Sequence, residues 1–304
     1  MFDWNDLRYF LAVVRHSHLS AAARELGVNH STVFRRIGAL EGALGTRLFD
    51  RLSTGYTLTA AGEEMMATAE RVEEEMASLD RRMSGQDHRL SGTVRLTSSE
   101  TLANRLLAPM LATFRRIYPG ISVETLIDNR FLSLTRGEAD IALRPRRPTE
   151  NDLVGRQVGL VAWALYGAPG YLAGRPPVRS PDDLEAHDLL GSEERLGHME
   201  AARWLERYAP KAKVVYRTNS LWHQLMAARA GVGLALLPCF SADGEPGLVQ
   251  VLPPIDTIRV ELWLVTHGEL RHAARIRAML DFAGEWIGRE RAALLGLRLA
   301  ESAA

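Results

Sequence analysis

The segment LSAAARELGVNHSTVFRRIGALEGAL (residues 19–44) holds two short helical patterns separated by a glycine. Ser20 stands where an N-cap belongs, ahead of Ala21-Ala22-Ala23-Arg24-Glu25-Leu26, a run of strong helix formers. Gly27 supplies the break after it. Asn29 then caps a further helix whose buried stripe is Val33, Ile37, Leu40 and Leu44. Upstream, Leu7, Phe10, Leu11 and Val14 recur at i, i+3, i+4, i+7 and make the apolar face of a preceding helix. Two short helices around a glycine-containing turn are a helix-turn-helix pattern.

With Val33 and Ile37 pointing inward, a rotation of about 100° per residue turns Ser31 and Arg35 outward. Thr32 and Phe34 flank that outward face, and Arg36 lies nearer its edge. Such a face suits the major groove of double-stranded DNA, where arginine pairs bidentately with guanine and hydroxyls reach bases or phosphates. Asn29, His30 and Ser31 lie where helix N-terminal N–H groups favour a phosphate. Further on, Gly45-Thr46-Arg47-Leu48-Phe49-Asp50-Arg51 leads to Gly55-Tyr56-Thr57-Leu58-Thr59, and the alternation around a glycine predicts a small β-ribbon, a wing. Arg47 and Arg51 then face the phosphate backbone. The candidate DNA-binding residues are Ser20, Asn29, His30, Ser31, Thr32, Phe34, Arg35, Arg36 and Arg51.

The run from Leu7 to Glu63 resembles the LysR-type transcriptional regulators, nearly without gaps. The resemblance is carried by the serine–alanine run Ser20–Leu26, by Val33, Arg35, Arg36, Ile37, Leu40 and Glu41, and by Leu48-Phe49 with Arg51. Leu58-Thr59-Ala60-Ala61-Gly62 completes it. Two positions depart from the common pattern: Phe34, where serine is frequent, and Gly38, where a long polar residue is usual. Both lie on or near the outward face.

From residue 61 the pattern changes. Met65, Ala69, Val72, Met76, Leu79 and Met83 form an a/d seam of about three heptads, flanked by Glu73, Glu75, Asp80 and Arg82. A dimerising helix is the expectation, and the resemblance places one here. An amphipathic helix lying on its own domain's core is the alternative. Parallel and antiparallel pairing are both open.

Beyond residue 91 strands alternate with helices, which predicts α/β architecture with largely parallel sheets. Strands are expected at 94–97, 121–126, 139–143, 161–166, 214–216 and 260–265, with helices at 102–118, 221–230 and 273–287. Gly137–Leu143, Gly231–Pro238 and the helix after His272 resemble the effector domain of the same family, built like a periplasmic binding protein. The fold class is thus an all-α, winged helix-turn-helix N-terminal domain (1–60), a linker helix (61–90), and an α/β effector-binding domain (91–304). The resemblance divides the last into two subdomains, about 92–162 with 269–304, and about 163–268.

Ligands of open α/β sheets bind beyond the carboxyl ends of strands. Those ends carry Thr97–Thr101, Asp128-Asn129, Arg144 and Thr218-Asn219-Ser220. Ser98, Ser99, Thr101, Arg144 and Asn219 are the candidate effector-binding residues, suited to a small carboxylate. Simple capping by Ser99, Thr101 and Ser220 explains part of this set without a ligand. Glu100 leaves a neutral or cationic effector open.

Composition sets the outer limits. The 304 residues are 46% hydrophobic and 24% charged, in the range of folded globular domains. No run approaches the roughly 20 apolar residues of a membrane span. The start, Met1-Phe2-Asp3-Trp4, lacks a basic-then-apolar signal, so the cytoplasm is the default location. Net charge is zero, but residues 1–60 carry seven arginines against five carboxylates. A single cysteine, Cys239, excludes an internal disulfide and most cysteine-based metal sites, and after a run of leucines it reads as a packed residue. No catalytic nucleotide loop, nucleophile elbow or zinc helix is present, so neither enzyme chemistry, metal nor cofactor is expected. The expected partners are double-stranded DNA, a small-molecule effector, a second copy in a dimer or tetramer, and RNA polymerase. The competing readings are a constitutive or architectural DNA-binding protein without an effector, and a solute-binding protein or enzyme on an α/β scaffold.

Overall fold

The structure, a computed structural model, describes residues 3–297 apart from 53–54, 86–88, 131 and 194–199. The first two residues of the chain's start, the tip of the expected wing, and the expected linker end at 86–88 thus lie outside the described residues. The chain divides into two compact units, Met1–Asp80 and Arg81–Ala304.

In the first unit, α1 (Asp6–His16) buries Leu7, Phe10 and Leu11 as its spacing requires. Ser17 closes it in the left-handed region at φ 56°. The cap of α2 (Leu19–Leu26) is His18, so Ser20 is the helix's second residue and exposed, not its N-cap. The chain turns so tightly after α1 that the extended residue falls two positions earlier than the serine suggests. Gly27 ends α2 at φ 66°, and α3 (His30–Leu44) begins after the extended Asn29 and ends at Gly45. Val33, Ile37 and Leu40 are buried, whereas Leu44, at the last position, is exposed.

The wing is β1 (Phe49–Leu52) paired antiparallel with β2 (Gly55–Leu58). Phe49 inserts between Phe10 and Tyr56, with ring centroids 5.2 and 5.8 Å apart. From β2 the chain enters α4 (Ala60–Gly85). Thr59 joins the two: its hydroxyl donates to the Arg47 carbonyl (2.7 Å) and accepts from the Gly62 amide (3.1 Å).

Among the described residues, the second unit is a nine-stranded mixed sheet in the order β4 (Ile121–Ile127), β3 (Gly92–Ser98), β5 (Ile141–Arg144), β11 (Arg259–His267), β6 (Leu153–Gly167), β9 (Leu234–Pro238), β7 (Asp188–Ser192), β8 (Lys213–Thr218), with β10 (Val249–Leu252) paired to β6. One end is parallel: β3 (Gly92–Ser98) lies between β4 (Ile121–Ile127) and β5 (Ile141–Arg144). The other end is parallel too, with β7 (Asp188–Ser192) between β8 (Lys213–Thr218) and β9 (Leu234–Pro238). Between them run β6 (Leu153–Gly167) and β11 (Arg259–His267), the whole of β11 antiparallel to Leu153–Ala162 of β6. The sheet expected to be largely parallel is therefore parallel only toward its two ends, with antiparallel pairs joining them. β11 pairs with β5 from Trp263 to Thr266, so those residues stand in the first lobe rather than the second. β6 is one fifteen-residue strand that serves both lobes, pairing with β11 as far as Ala162 and with β9 from Trp163.

Helices cover the sheet where the periodicity places them. Glu100–Ile117 is interrupted: α5 (Glu100–Leu102), a π-helical turn (Ala103–Leu107), then α6 (Ala108–Ile117). α6 packs Met110 and Phe114 with Ile276 and Met279 of α11 (Ala274–Arg289) in the main core. On the second lobe, α9 (Leu221–Arg229) covers a smaller apolar cluster that holds Tyr166, Leu237 and Cys239. The Tyr166 hydroxyl donates to Asp243 (2.5 Å). Burial pushes the Cys239 thiol up to about 11, with the Tyr166 hydroxyl opposing that shift and the Asp243 carboxylate adding to it. A buried, protonated thiol is a packing group, not a sensor.

Gly62 is the most closely packed glycine of the first unit, since a Cβ there would stand 2.2 Å from the Leu48 carbonyl oxygen. Gly62→Ala is expected to lower stability by about 2 kcal/mol, in the range of overpacking substitutions. Urea unfolding followed by circular dichroism checks this, and a loss below about 0.5 kcal/mol, the scale of ordinary surface changes, contradicts it.

Candidate DNA interface and effector cleft

Ser31, Phe34, Arg35 and Gly38 are all exposed and recur at i, i+3, i+4, i+7, so they form one outward stripe along α3. Asn29 and His30 are exposed at its N-terminal end, and Thr32 is half-buried. Asn29 makes no side-chain cap, which leaves its amide available. Arg35 has no hydrogen bond, ion pair or ring partner among the described residues. Ser20 is exposed on α2, where its carbonyl accepts from Arg24 Nε at 3.4 Å.

Arg36 departs from the expectation. Its guanidinium pairs with Asp3 (3.0 Å) and Asp6 (3.2 Å) and lies 5.7 Å from the centre of the Tyr9 ring. One residue on from Arg35 is about 100° around the helix, which turns Arg36 back toward α1. It is a strut between α1 and α3. The Asn5 backbone amide, with Arg36 beside it, holds the Asp3 carboxyl below its ordinary value.

Arg51 sits between helix and wing. It lies 4.8 Å from the Phe34 ring centre, 5.9 Å from that of Tyr56, and 3.6 Å from the Glu41 carboxylate. The other Glu41 oxygen accepts from the Leu48 and Phe49 amides, at 2.9 and 3.2 Å. Half of the Arg51 side chain remains exposed, enough to meet a phosphate.

The heptad seam of α4 divides into two parts. Met65, Ala69 and Val72 pack on the core of their own domain, Ala69 with no exposed surface. Glu73, expected to flank an interchain seam, instead pairs with Arg15 of α1, which also holds Glu25. Met76, Leu79 and Met83 are exposed, at 63%, 48% and 70%. An a/d repeat records burial without saying whose surface does the burying. Among the described seam residues, those of the second half alone are exposed.

In the two-lobed domain the strand ends converge as expected, with a different division of labour among the side chains. The buried Ser98 hydroxyl donates to the Leu143 carbonyl (3.2 Å), and Thr101 is buried. Ser99 is half-buried at the cap of α5. Arg144 donates to the Leu132 carbonyl, and burial holds its pKa below the ordinary arginine value. Asn219 takes part through its backbone, its carbonyl accepting from Asn129 Nδ2 (3.2 Å). Asn129 also accepts from the Glu100 amide (3.2 Å), and the Glu100 carboxylate accepts from the Ser220 hydroxyl. Glu100 and Asn129 belong to the first lobe and Asn219 and Ser220 to the second, so these bonds join the lobes.

A further link was outside the expected set. Arg105, in the π-helical turn, pairs with the buried Glu245, which also holds Arg229 at 2.8 Å. Arg105 lies 5.3 Å from the centre of the Trp222 ring as well. No local pattern marks Arg105 or Glu245, since their partnership spans 140 residues of sequence. The Asp-Asn pair at the end of β4 was the available signal for Asn129. Among the described residues no group of three or more His, Cys, Asp or Glu is placed to hold a metal, and no helix is long and apolar enough to cross a membrane.

A winged helix-turn-helix followed by a two-lobed α/β domain defines a DNA-binding regulator with a ligand-binding module. Residues 4–63 match the family described as bacterial regulatory helix-turn-helix protein, lysR family, and residues 87–288 match the LysR substrate binding domain. The chain belongs to the LysR-type transcriptional regulators. It is similar to the HTH-type transcriptional regulator PtxR of Pseudomonas aeruginosa, 29% identical over 296 residues, covering 94% of this chain and 93% of that one. The full-length structure of the Vibrio cholerae virulence activator AphB matches with a TM-score of 0.66 at 25% identity, covering 93% of this chain and 98% of that chain. CrgA of Neisseria meningitidis matches with a TM-score of 0.60 at 26% identity, over 95% and 100% of the two chains.

The separation of roles between neighbouring arginines is open to test. Arg36→Ala is expected to lower the thermal midpoint of the N-terminal unit, and Arg35→Ala to leave it unchanged. Thermal melts of both variants by circular dichroism check this, and equal midpoints contradict it.

Proposed function

We propose that α3 enters the major groove of a partly palindromic duplex with Ser31, Phe34 and Arg35 toward the base edges. Asn29, His30, Thr32 and Ser20 stand at the groove's rim, and Arg51 meets the phosphate backbone from the wing. The observation that carries this reading is Arg35, exposed on the outward stripe and unpaired among the described residues. An arginine that the fold does not use is available for bidentate contact with guanine. In this reading two copies pair through Met76, Leu79 and Met83 in a dimer or a dimer of dimers. The protein works in the cytoplasm without catalysis, and RNA polymerase receives the regulatory signal.

The effector enters between the lobes and competes with the bonds that join them. Glu100, Asn129 and Ser220 are the groups it meets first. With Arg144 committed to the Leu132 carbonyl, a small molecule carrying hydrogen-bond donors suits Glu100 better than a carboxylate does. Coupling to DNA then comes from unequal affinity for two arrangements of the lobes. A second reading, a regulator that needs no effector, is favoured by the same bonds, since the protein's own side chains already bridge the lobes.

Titration of the full-length protein on the DNA upstream of its own gene tests the interface, with random DNA as control. The expected result is preference for the upstream fragment, weakened by salt and lost in Arg35→Ala. Binding indifferent to Arg35 overturns the assignment of the reading helix. A thermal-shift screen of small carboxylates, polyols and amines separates the two effector readings. A compound that raises the midpoint, less so for Glu100→Ala, supports the first, and no shift with any class supports the second.

A further inference from the structure

We propose that Phe34 is a specificity-determining residue that reads thymine, seating its exposed ring against the C5-methyl group in the major groove. The inference rests on α3 being the helix that enters the groove, and it assigns a base to one position on it.

Phe34 is 47% exposed in the middle of the outward stripe, where the fold has no use for a large apolar side chain. It belongs neither to the buried core of its domain nor to the partly buried residues packed on that core. Its recorded ring contact is the Arg51 guanidinium, 4.8 Å from the ring centre. Arg51 is in turn held by the Glu41 carboxylate, so one side of the ring is covered and its direction is set. One turn further along, at i+4, Gly38 has no side chain, and among the described residues no atom other than the helix's own nearby backbone lies within 4 Å of where a Cβ would stand. A glycine inside a helix costs about 1 kcal/mol relative to alanine. No packing within the chain accounts for it, and its effect is to leave the ground beside Phe34 clear. Arg35 stands next to the ring and supplies a polar reader for a neighbouring base.

The chemistry of the groove then selects the partner. Adenine, guanine and cytosine present donors and acceptors on their major-groove edges, whereas thymine adds a methyl group. An apolar ring set against the polar edges covers groups that lose water without gaining a hydrogen bond, which is unfavourable. Set against the thymine methyl, it buries apolar surface on both partners.

The test uses the full-length protein and a duplex recovered by it from a random-sequence library. Each thymine is replaced in turn by deoxyuridine, which keeps base pairing and removes only the methyl. For the wild type, Kd is expected to rise roughly fourfold at one thymine per half-site, the scale of one buried methyl group. Phe34→Ala is expected to bind the two duplexes equally, and Phe34→Leu to retain part of the discrimination. A wild type indifferent to every replacement overturns the proposal, as does a Phe34→Ala protein that discriminates as well as the wild type. The wild-type scan stands even if a variant folds poorly. If Arg35→Ala also binds the selected duplex undiminished, the groove-entering role of α3 fails with it. If Arg35→Ala loses the duplex while no thymine matters, the assignment of Phe34 alone fails.

Discussion

The carboxylate of Glu41 holds the DNA-binding unit in its working shape. Its side chain is 11% exposed and meets two backbone donors, Leu48 and Phe49, just where the chain has left α3 and begins β1. Amides buried at such a turn cost free energy unless they find an acceptor. By supplying one, Glu41 fixes the wing to the helix and seats Phe49 between Phe10 and Tyr56. Its remaining oxygen steadies Arg51, which in turn covers Phe34. One acidic side chain thus links the core, the wing and the outward face of α3.

Around that frame, arginines that are identical in chemistry are divided by position. Arg36 is turned back to Asp3 and Asp6 and ties α3 to α1. Arg15 braces α1 against α4 through Glu73. Arg51 is shared between a carboxylate and two rings, and Arg35 is left to the solvent. The rotation of about 100° per residue accounts for the difference between Arg35 and Arg36. A surface rich in arginine need not all face DNA, and the inward-paired residues set the geometry that the outward one uses.

Much of this was legible in the sequence because it is local. Helix periodicity, the glycine stop at Gly27, and the alternation around Gly55 depend on neighbours within a few residues. What was not legible depends on distant partners. Arg36 shows its role only once Asp3 is brought beside α3. Ala69 and Val72 fit a dimer seam and an own-domain core equally well, and only the packed fold distinguishes the two. The same holds in the two-lobed domain. Ser98 and Arg144 have suitable chemistry at suitable strand ends, yet nearby carbonyls occupy them. The short strand β7 and the full length of β6 are set by pairing across the sheet rather than by their own composition. The bonds joining the lobes, from Glu100 to Ser220 and from Asn129 to Asn219, follow from where β3, β4 and β8 end.

In the two-lobed domain β6 belongs to both lobes, pairing with β11 as far as Ala162 and with β9 and β10 beyond it. Because β6 also holds the sheet together, the proposed rearrangement of the lobes falls to the polar contacts at the strand ends rather than to the core. Those contacts matter only if the N-terminal unit reads DNA through the stripe on α3. Methylation interference tests that most directly, because dimethyl sulfate modifies guanine N7 in the major groove, the atom a bidentate arginine needs. At least one guanine per half-site is expected whose methylation abolishes binding by the wild-type protein and leaves the residual binding of Arg35→Ala unchanged. Binding that tolerates methylation at every guanine, or interference that is the same for both proteins, would contradict it.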